Sequence, residues 1–344
     1  MQKLLSLLPQ LTEINAQINF KNVARNPNLD IWQRGTSFLS VPNNVYLADG
    51  FQLIKGGTAV GDVTQQPDVP VASEALSSFS LRHRITTPQA TIGAGDSYFL
   101  FQKIEGYAAR SLWKQPCTLS FWVKSTRTGI FCVAFRNAGF DRYFIAQYTI
   151  NAASTWEKKV ITIPPLPTDG TWNFTNGIGI SISWILAAGS SFRTAVNSSW
   201  QSGNMIATPN QINAVDVASN DFILSQIQLE TGVVATDFEV RPYLLDLLMA
   251  KRYFTPISLT AGGWTNAAPN GAAITPILFP VPMRTSPTVT LNTVGSRLGL
   301  DANSVAVGVK NNEGANFTVY PNQSATGGLH FWAINEIWTF LADL

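Results

Sequence analysis

Between Val23 and Asp221 the chain is a succession of short runs with a two-residue apolar repeat, each closed by a turn signal. Period two is the period of a strand, and strands with one apolar face bury it by stacking sheet on sheet. The repeat is plainest over 118–124. There Leu119, Phe121 and Val123 share one face, and Thr118, Ser120, Trp122 and Lys124 the other. Strands are expected at Asp30–Trp32, Gly50–Ile54, Phe79–His83, Tyr98–Lys103, Cys117–Lys124, Ile130–Phe135, Tyr143–Ile150, Trp156–Ile163 and Ile178–Trp184. Turns such as Arg136-Asn137-Ala138-Gly139 and Pro167-Thr168-Asp169-Gly170 separate them. This spacing argues for an all-β, two-sheet antiparallel sandwich. Ser190–Val217 breaks the pattern. It is polar, with Trp200 and Met205 as its main bulky apolar residues, and it reads as a long loop of the kind that often carries function.

The next stretch changes character three times. Phe222–Leu229 is a strand whose apolar residues are Phe222, Leu224, Ile227 and Leu229, so the alternation breaks at Ser225–Gln226. Glu230-Thr231-Gly232 turns the chain, and Val240-Arg241-Pro242 runs extended because proline disfavours helix in the residue before it. Leu244–Phe254 is expected as a short helix, apolar almost all round and therefore buried against another surface. From Thr255 the pattern is β again, with strands at Ala306–Lys310, Phe317–Tyr320 and Leu329–Phe340. The last run, LHFWAINEIWTFLADL, carries more apolar surface than a small domain hides and suggests packing on a second copy. The expected organisation is an N-terminal helix over 1–22, a sandwich over 23–242, a linker helix over 243–254 and a smaller β-domain over 255–344.

The run IQLETGVVATDFEVRPYLLDLLMAKRYF resembles the segment that closes a carbohydrate-binding-module-like jelly roll in bacteriophage tail-fibre and other virion-appendage proteins. NPNLDIWQRGTSF, from Asn26 to Phe38, resembles that family's opening strand, and YLADGF, from Tyr46 to Phe51, the strand after it. The motifs fall in the family's order and cover roughly residues 26–254. Pro280–Leu291 is similar to the small β-domain that often follows. The resemblance implies a lectin-like jelly roll on a virion appendage, host-surface glycans and other virion proteins as partners, and location on the phage tail or capsid. It also implies a structural Ca²⁺ between the first and last strands, with Asn28, Asp49 and Asp221 near the matching positions. Asx residues at strand ends serve equally as turn caps.

Composition narrows the functions. Only 13% of the 344 residues are charged, and 23 basic against 21 acidic residues with no basic run leave no footprint for nucleic acid. No apolar stretch approaches the ~20 residues that span a bilayer. Residues 1–20 place Leu4, Leu7, Leu11, Ile14 and Ile18 at 3-4-3-4 spacing. That is the period of a coiled-coil seam, or of an amphipathic helix lying on the β-domain. Pro9, Gln10 and Glu13 interrupt the segment too early for a secretion signal. Synthesis in a bacterial cytoplasm followed by assembly is expected, as a homotrimer. Cys117 and Cys132 read as buried thiols, with a bridge between adjacent strands as the alternative.

No HExxH, GxSxG, P-loop or dinucleotide-binding pattern occurs. His83 and His330 stand alone among strand residues, where histidine is usually structural. A glycosidase needs two carboxylates flanking a cleft, and Asp96, Glu105, Asp141 and Glu157 form no recognisable pair. The expectation is therefore a binding protein, with a polysaccharide depolymerase or a ligand-free structural adaptor as alternatives. Sugar recognition needs aromatic faces beside amides or charged groups. Among 10 Trp, 8 Tyr and 20 Phe, most of them core, the candidates are Trp122, Arg142 with Tyr143, Trp172 with Asn173, and Trp200 with Gln201.

Overall fold

The computed structural model describes residues 20–71, 76–265, 273–293, 296–298, 305–309, 311–319 and 329–344. The Leu4–Ile18 seam lies outside them. Contacts divide the chain between Arg241 and Pro242.

The first unit is the jelly-roll sandwich. One antiparallel sheet has the order β1 (Ser37–Phe38), β4 (Val60–Gln66), β5 (Ser80–Thr87), β13 (Asp221–Thr231), β7 (Cys117–Ser125), β10 (Glu157–Ile163). The other has the order β12 (Gln201–Ser202), β9 (Arg142–Ile150), β8 (Gly129–Asn137), β11 (Ile178–Ala188), β6 (Ser97–Glu105), β3 (Phe51–Lys55), β2 (Val45–Tyr46). The alternation read from the sequence decides which side is core. Leu119, Phe121 and Val123 are fully buried between the sheets, with Phe51, Phe131, Phe135, Phe144 and Trp184.

A second apolar cluster covers the outside of the seven-stranded sheet. Phe99, Phe101, Cys132, Ala134, Tyr143 and Ile145 lie under Phe192, Met205, Ile206 and Ala207. The polar loop after β11 is thus a lid on this sheet. Its Gln211 side chain stands in for ladder bonds, accepting from the Cys132 N–H at 2.6 Å and donating to the Ile185 carbonyl at 3.2 Å. Cys132 belongs to this outer cluster and Cys117 to the core; both are free thiols, and their strands lie in different sheets.

Two sequence expectations need correction. Residues 30–32 form no strand. Asn26 and Leu29 have positive φ, and the Asn26 side chain clasps both the N–H and the carbonyl of Ile31. The segment is a looped brace that still buries Ile31 and Trp32. Conversely, β4 was not expected, because VGDVTQQ offers only two apolar side chains to a periodicity argument.

The closing motif works as a latch. Glu230, 2% exposed, accepts from Gln228 Nε2 (2.8 Å), the Thr236 N–H (2.9 Å) and the Thr236 hydroxyl (2.6 Å). Gln228 Oε1 accepts from the Glu239 N–H, and Glu239 accepts from the N–H groups of Lys21 and Asn22. Arg241 donates to the Ala24 carbonyl at 2.7 Å. These bonds lash both ends of the unit to β13. Glu230→Leu strands the Thr236 N–H and takes one acceptor from the Gln228 amide, which keeps Asp237 and Thr236, at about 1–3 kcal/mol. Thermal melting should show the loss, and hydrogen exchange should place it at residues 232–241.

The second unit opens with a helix, Tyr243–Lys251. The expectation that its apolar surface is buried fails within this chain: Leu244 is 71% exposed, Leu248 and Met249 about two-fifths, whereas Asp246 and Ala250 are buried. The helix also ends before Phe254, which starts β14 (Phe254–Thr265). β14 pairs with β20 (Leu329–Leu341), which also carries β16 (Thr288–Thr293) and β17 (Ser296–Leu298). A second small sheet joins β15 (Ala273–Leu278), β19 (Gly314–Val319) and β18 (Val305–Val309). Phe279, Met283, Phe317, Trp338 and Phe340 form the core of this unit.

Candidate functional site

The outer face of the six-stranded sheet carries a group of charged residues. Strand register builds it in rows. Thr64, Arg82, Ile223 and Lys124 lie side by side across β4, β5, β13 and β7. The neighbouring row is Asp62, Arg84 and Asp221, and on the other side Ser225, Trp122 and Lys158 follow one another. All come from the polar half of the same alternation that puts Leu81, His83, Phe222, Leu224, Phe121 and Val123 inside.

A depression of about 230 Å³ opens on this face between Gln66, Asp68, Arg82, Lys124, Ser154 and Asp221. Arg82 Nε donates to Asp221 Oδ1 at 3.1 Å, and Arg84 Nε approaches the same oxygen at 3.6 Å. Lys124 Nζ donates to Asp68 Oδ2 at 2.8 Å, and the Trp156 indole N–H to Asp68 Oδ1 at 3.1 Å. The Lys124 ammonium also sits 6.0 Å from the Trp156 ring centroid, within cation–π range. Burial pulls the Asp68 carboxyl upward, but bonds from Lys124 and Trp156 outweigh it and hold it below the usual carboxylate range. The depression therefore presents ionised acceptors alternating with cationic donors, and an indole at its edge.

The residues singled out from sequence lie mostly elsewhere. Trp122 shares this face, two residues from Lys124 on β7. The others gather at one end of the sandwich. Arg142 pairs with Asp169 at 2.6 Å, and the Trp172 indole donates to the Asp169 carbonyl at 2.8 Å. Trp172 meets Trp200 edge-on, with centroids 5.8 Å apart, and Trp113 on its other side at 5.7 Å. Trp200 reaches Phe144 in the core and donates to the Pro164 carbonyl. Tyr143 is buried beneath the lid loop, with Gln201 opposite it across β9 and β12. Asn173 Oδ1 accepts from the N–H groups of Thr175 and Gly177, which makes it a turn cap. The tryptophans here stand edge to face and pack against the end of the core.

The calcium set does not fit a cation. Asp221 faces two guanidinium groups, which would repel one, and Asp49 is buried under bonds from the Gln33 backbone, the Gln33 amide and Arg34. Asn28 Oδ1 accepts from the Ser77 hydroxyl. Among the described residues no three His, Cys, Asp or Glu side chains converge as metal ligands.

No family model matches this chain, and no curated protein matches it either. Solved structures do. The enzymatically active domain of tailspike protein 4 of bacteriophage CBA120 aligns at 15% identity and a TM-score of 0.32, over 57% of this chain and 22% of the tailspike chain. A family 11 carbohydrate-binding module of a Clostridium thermocellum cellulase aligns at 14% identity and 0.29, over 58% of this chain and 97% of the module. A sugar-binding protein assignment from Bacteroides thetaiotaomicron aligns at 10% identity and 0.33, over 62% of this chain and all of that one. This chain thus spans about a fifth of the tailspike's length and nearly all of the two smaller proteins.

Nothing in the sequence marks Asp68, Arg82 and Trp156 as a group. Arg82 and Lys124 were readable as outward-facing residues. Their meeting across β13 was not, because it depends on register between strands far apart in the chain.

Proposed function

We propose that this chain is a structural protein of a bacteriophage virion, a tail fibre, spike or decoration protein, whose sandwich binds host-surface glycans. The observation that carries the binding half is the depression lined by Asp68, Arg82, Lys124 and Asp221, with Trp156 bonded to its Asp68. A sugar hydroxyl both donates and accepts, so ion pairs split by a hydroxyl keep every charge satisfied, while the C–H face of the ring lies on the indole. The phage half rests on the resemblance of the opening and closing motifs. Assembly as a homotrimer on the virion, after synthesis in the host cytoplasm, belongs to the same reading. The exposed apolar residues of the 243–251 helix favour self-association.

A non-catalytic role belongs to this proposal, and two of the candidate acids support it. Asp141 and Glu157 are pulled down to about 2; hydrogen bonds from Asn137 and Thr171 hold Asp141, and bonds from Lys159, Ala152 and Asn151 outweigh burial at Glu157. Carboxylates held ionised are poor general acids. Shallow sugar sites bind in the millimolar to micromolar range, about −4 to −8 kcal/mol, and copies on one particle raise this by avidity. A bacterial glycan array should bind the wild-type chain. Trp156→Ala and Arg82→Ala should each weaken binding by about tenfold or more, a loss of roughly 1.4 kcal/mol. Full binding by both variants places recognition elsewhere, and release of reducing ends from a bound polysaccharide would make the protein a depolymerase.

A further inference from the structure

We propose that the same face is a groove for a run of a polysaccharide chain, with a second sugar position at Trp122 and Gln226. This rests on the glycan-binding reading and extends it from a single sugar to the interior of a chain. The register of β13 against β7 slips between Ser225 and Gln228. The slip sets Gln226 at φ 45°, a left-handed conformation costly for a residue with a side chain. Such strain persists where the surrounding structure enforces it, and it clusters at functional positions. Gln226 is 2% exposed, and its Nε2 has no hydrogen-bond partner. It lines a cavity of about 10 Å³ with Ser120, Trp122, Lys158, Thr236 and Phe238. That space holds a single hydroxyl-sized group.

Trp122 and Lys124 point the same way two residues apart, which is about 6.6 Å along a strand. A glycan chain running along β7 therefore meets the Asp68–Arg82 depression and then the Trp122 indole. There a pendant hydroxyl accepts from Gln226 Nε2. The neighbouring Gln228 has no such freedom, since the latch uses both ends of its amide.

The test is calorimetric titration of the full chain with the monomer and the hexamer fragments of bacterial capsular polysaccharides that score on the array. The wild type should bind the hexamer about tenfold more tightly than the monomer. Gln226→Gly and Trp122→Ala should erase that advantage and leave monomer binding intact, whereas Arg82→Ala should weaken both. Gln226→Gly should melt no lower than the wild type, because glycine takes positive φ without penalty. Unchanged hexamer affinity in both Gln226→Gly and Trp122→Ala overturns the second position and leaves Gln226 Nε2 as a donor to buried water. Equal monomer and hexamer affinity in the wild type overturns it too, without touching the depression. No binding of any fragment by the wild type removes the glycan reading and the extension together.

Discussion

Replacing Phe121 by alanine should destabilise the sandwich by about 3–5 kcal/mol, a large share of the 5–15 kcal/mol that holds a typical domain folded. Phe121 is fully buried on β7, and its ring crosses the layer between the sheets. It stands edge-on to Tyr148 of β9 at 5.3 Å and to Trp184 of β11 at 6.1 Å. These aromatic neighbours cannot collapse into the space it leaves, so both the transfer term and the cavity term apply. Phe121→Leu, which keeps most of the volume, should cost much less. Equilibrium urea unfolding with an unchanged slope checks this; equal midpoints for wild type and Phe121→Ala would sink the account of the core.

That core was readable because it depends on alternation alone. Leu119, Phe121 and Val123 needed no partner to be assigned a face, and the break at Ser225–Gln226 appeared in the sequence as a missed apolar step before it appeared as a bulge. The opening and closing motifs were recognisable as strings. Their work was not, because Asn22 meets Leu229, and Glu239 meets Lys21, across more than two hundred residues. β4 was missed for the opposite reason. Its place is held by pairing with β5, and Gly61 is set by a neighbour, since a Cβ there would lie 2.5 Å from His83 Nε2.

The site was legible only in kind. Aromatic side chains beside amides and charges suggested sugar chemistry, and six of the seven residues chosen do gather at one end of the sandwich. They gather there for packing: Trp113, Trp172 and Trp200 stand edge to face, and Trp200 tilts onto Phe144 in the core. A tryptophan in a polar loop and a tryptophan on a polar strand face look alike in sequence. What separates them is whether the loop folds back, and here the 190–212 segment folds onto its own sheet. Trp156 lies at the start of an expected strand, and no local pattern marks it because its partner, Asp68, sits in a different part of the chain.

Stability should fall steeply as pH drops from about 6.5 towards 3, and His83 should be a main cause. Its side chain is 1% exposed between the sheets, with Nε2 2.9 Å from the Tyr98 hydroxyl. Burial, with a smaller contribution from Lys55, pushes the imidazole down from 6.5 to about 3. The sign follows from proton counting. Below 6.5 the unfolded chain protonates this histidine and the folded chain does not, so the unfolded state gains. The stabilising contribution is complete above 6.5 and is lost as pH falls to about 3, at roughly 1.4 kcal/mol per pH unit. Over that window the loss is on the order of 5 kcal/mol. Asp68, Asp141 and Glu157 are carboxylates with lowered values, and they add a loss of the same sign at the acid end. Between pH 6 and 5 these three stay largely ionised in both states, while burial raises the Asp49 and Asp30 carboxyls and gives them the opposite sign, so the histidine is separated by comparison with its own variant. His83→Gln keeps an amide within reach of the Tyr98 hydroxyl and removes the titration. Its melting temperature should be nearly flat between pH 6 and 5, where the wild type declines. A parallel decline in both proteins would show that His83 is not the group responsible.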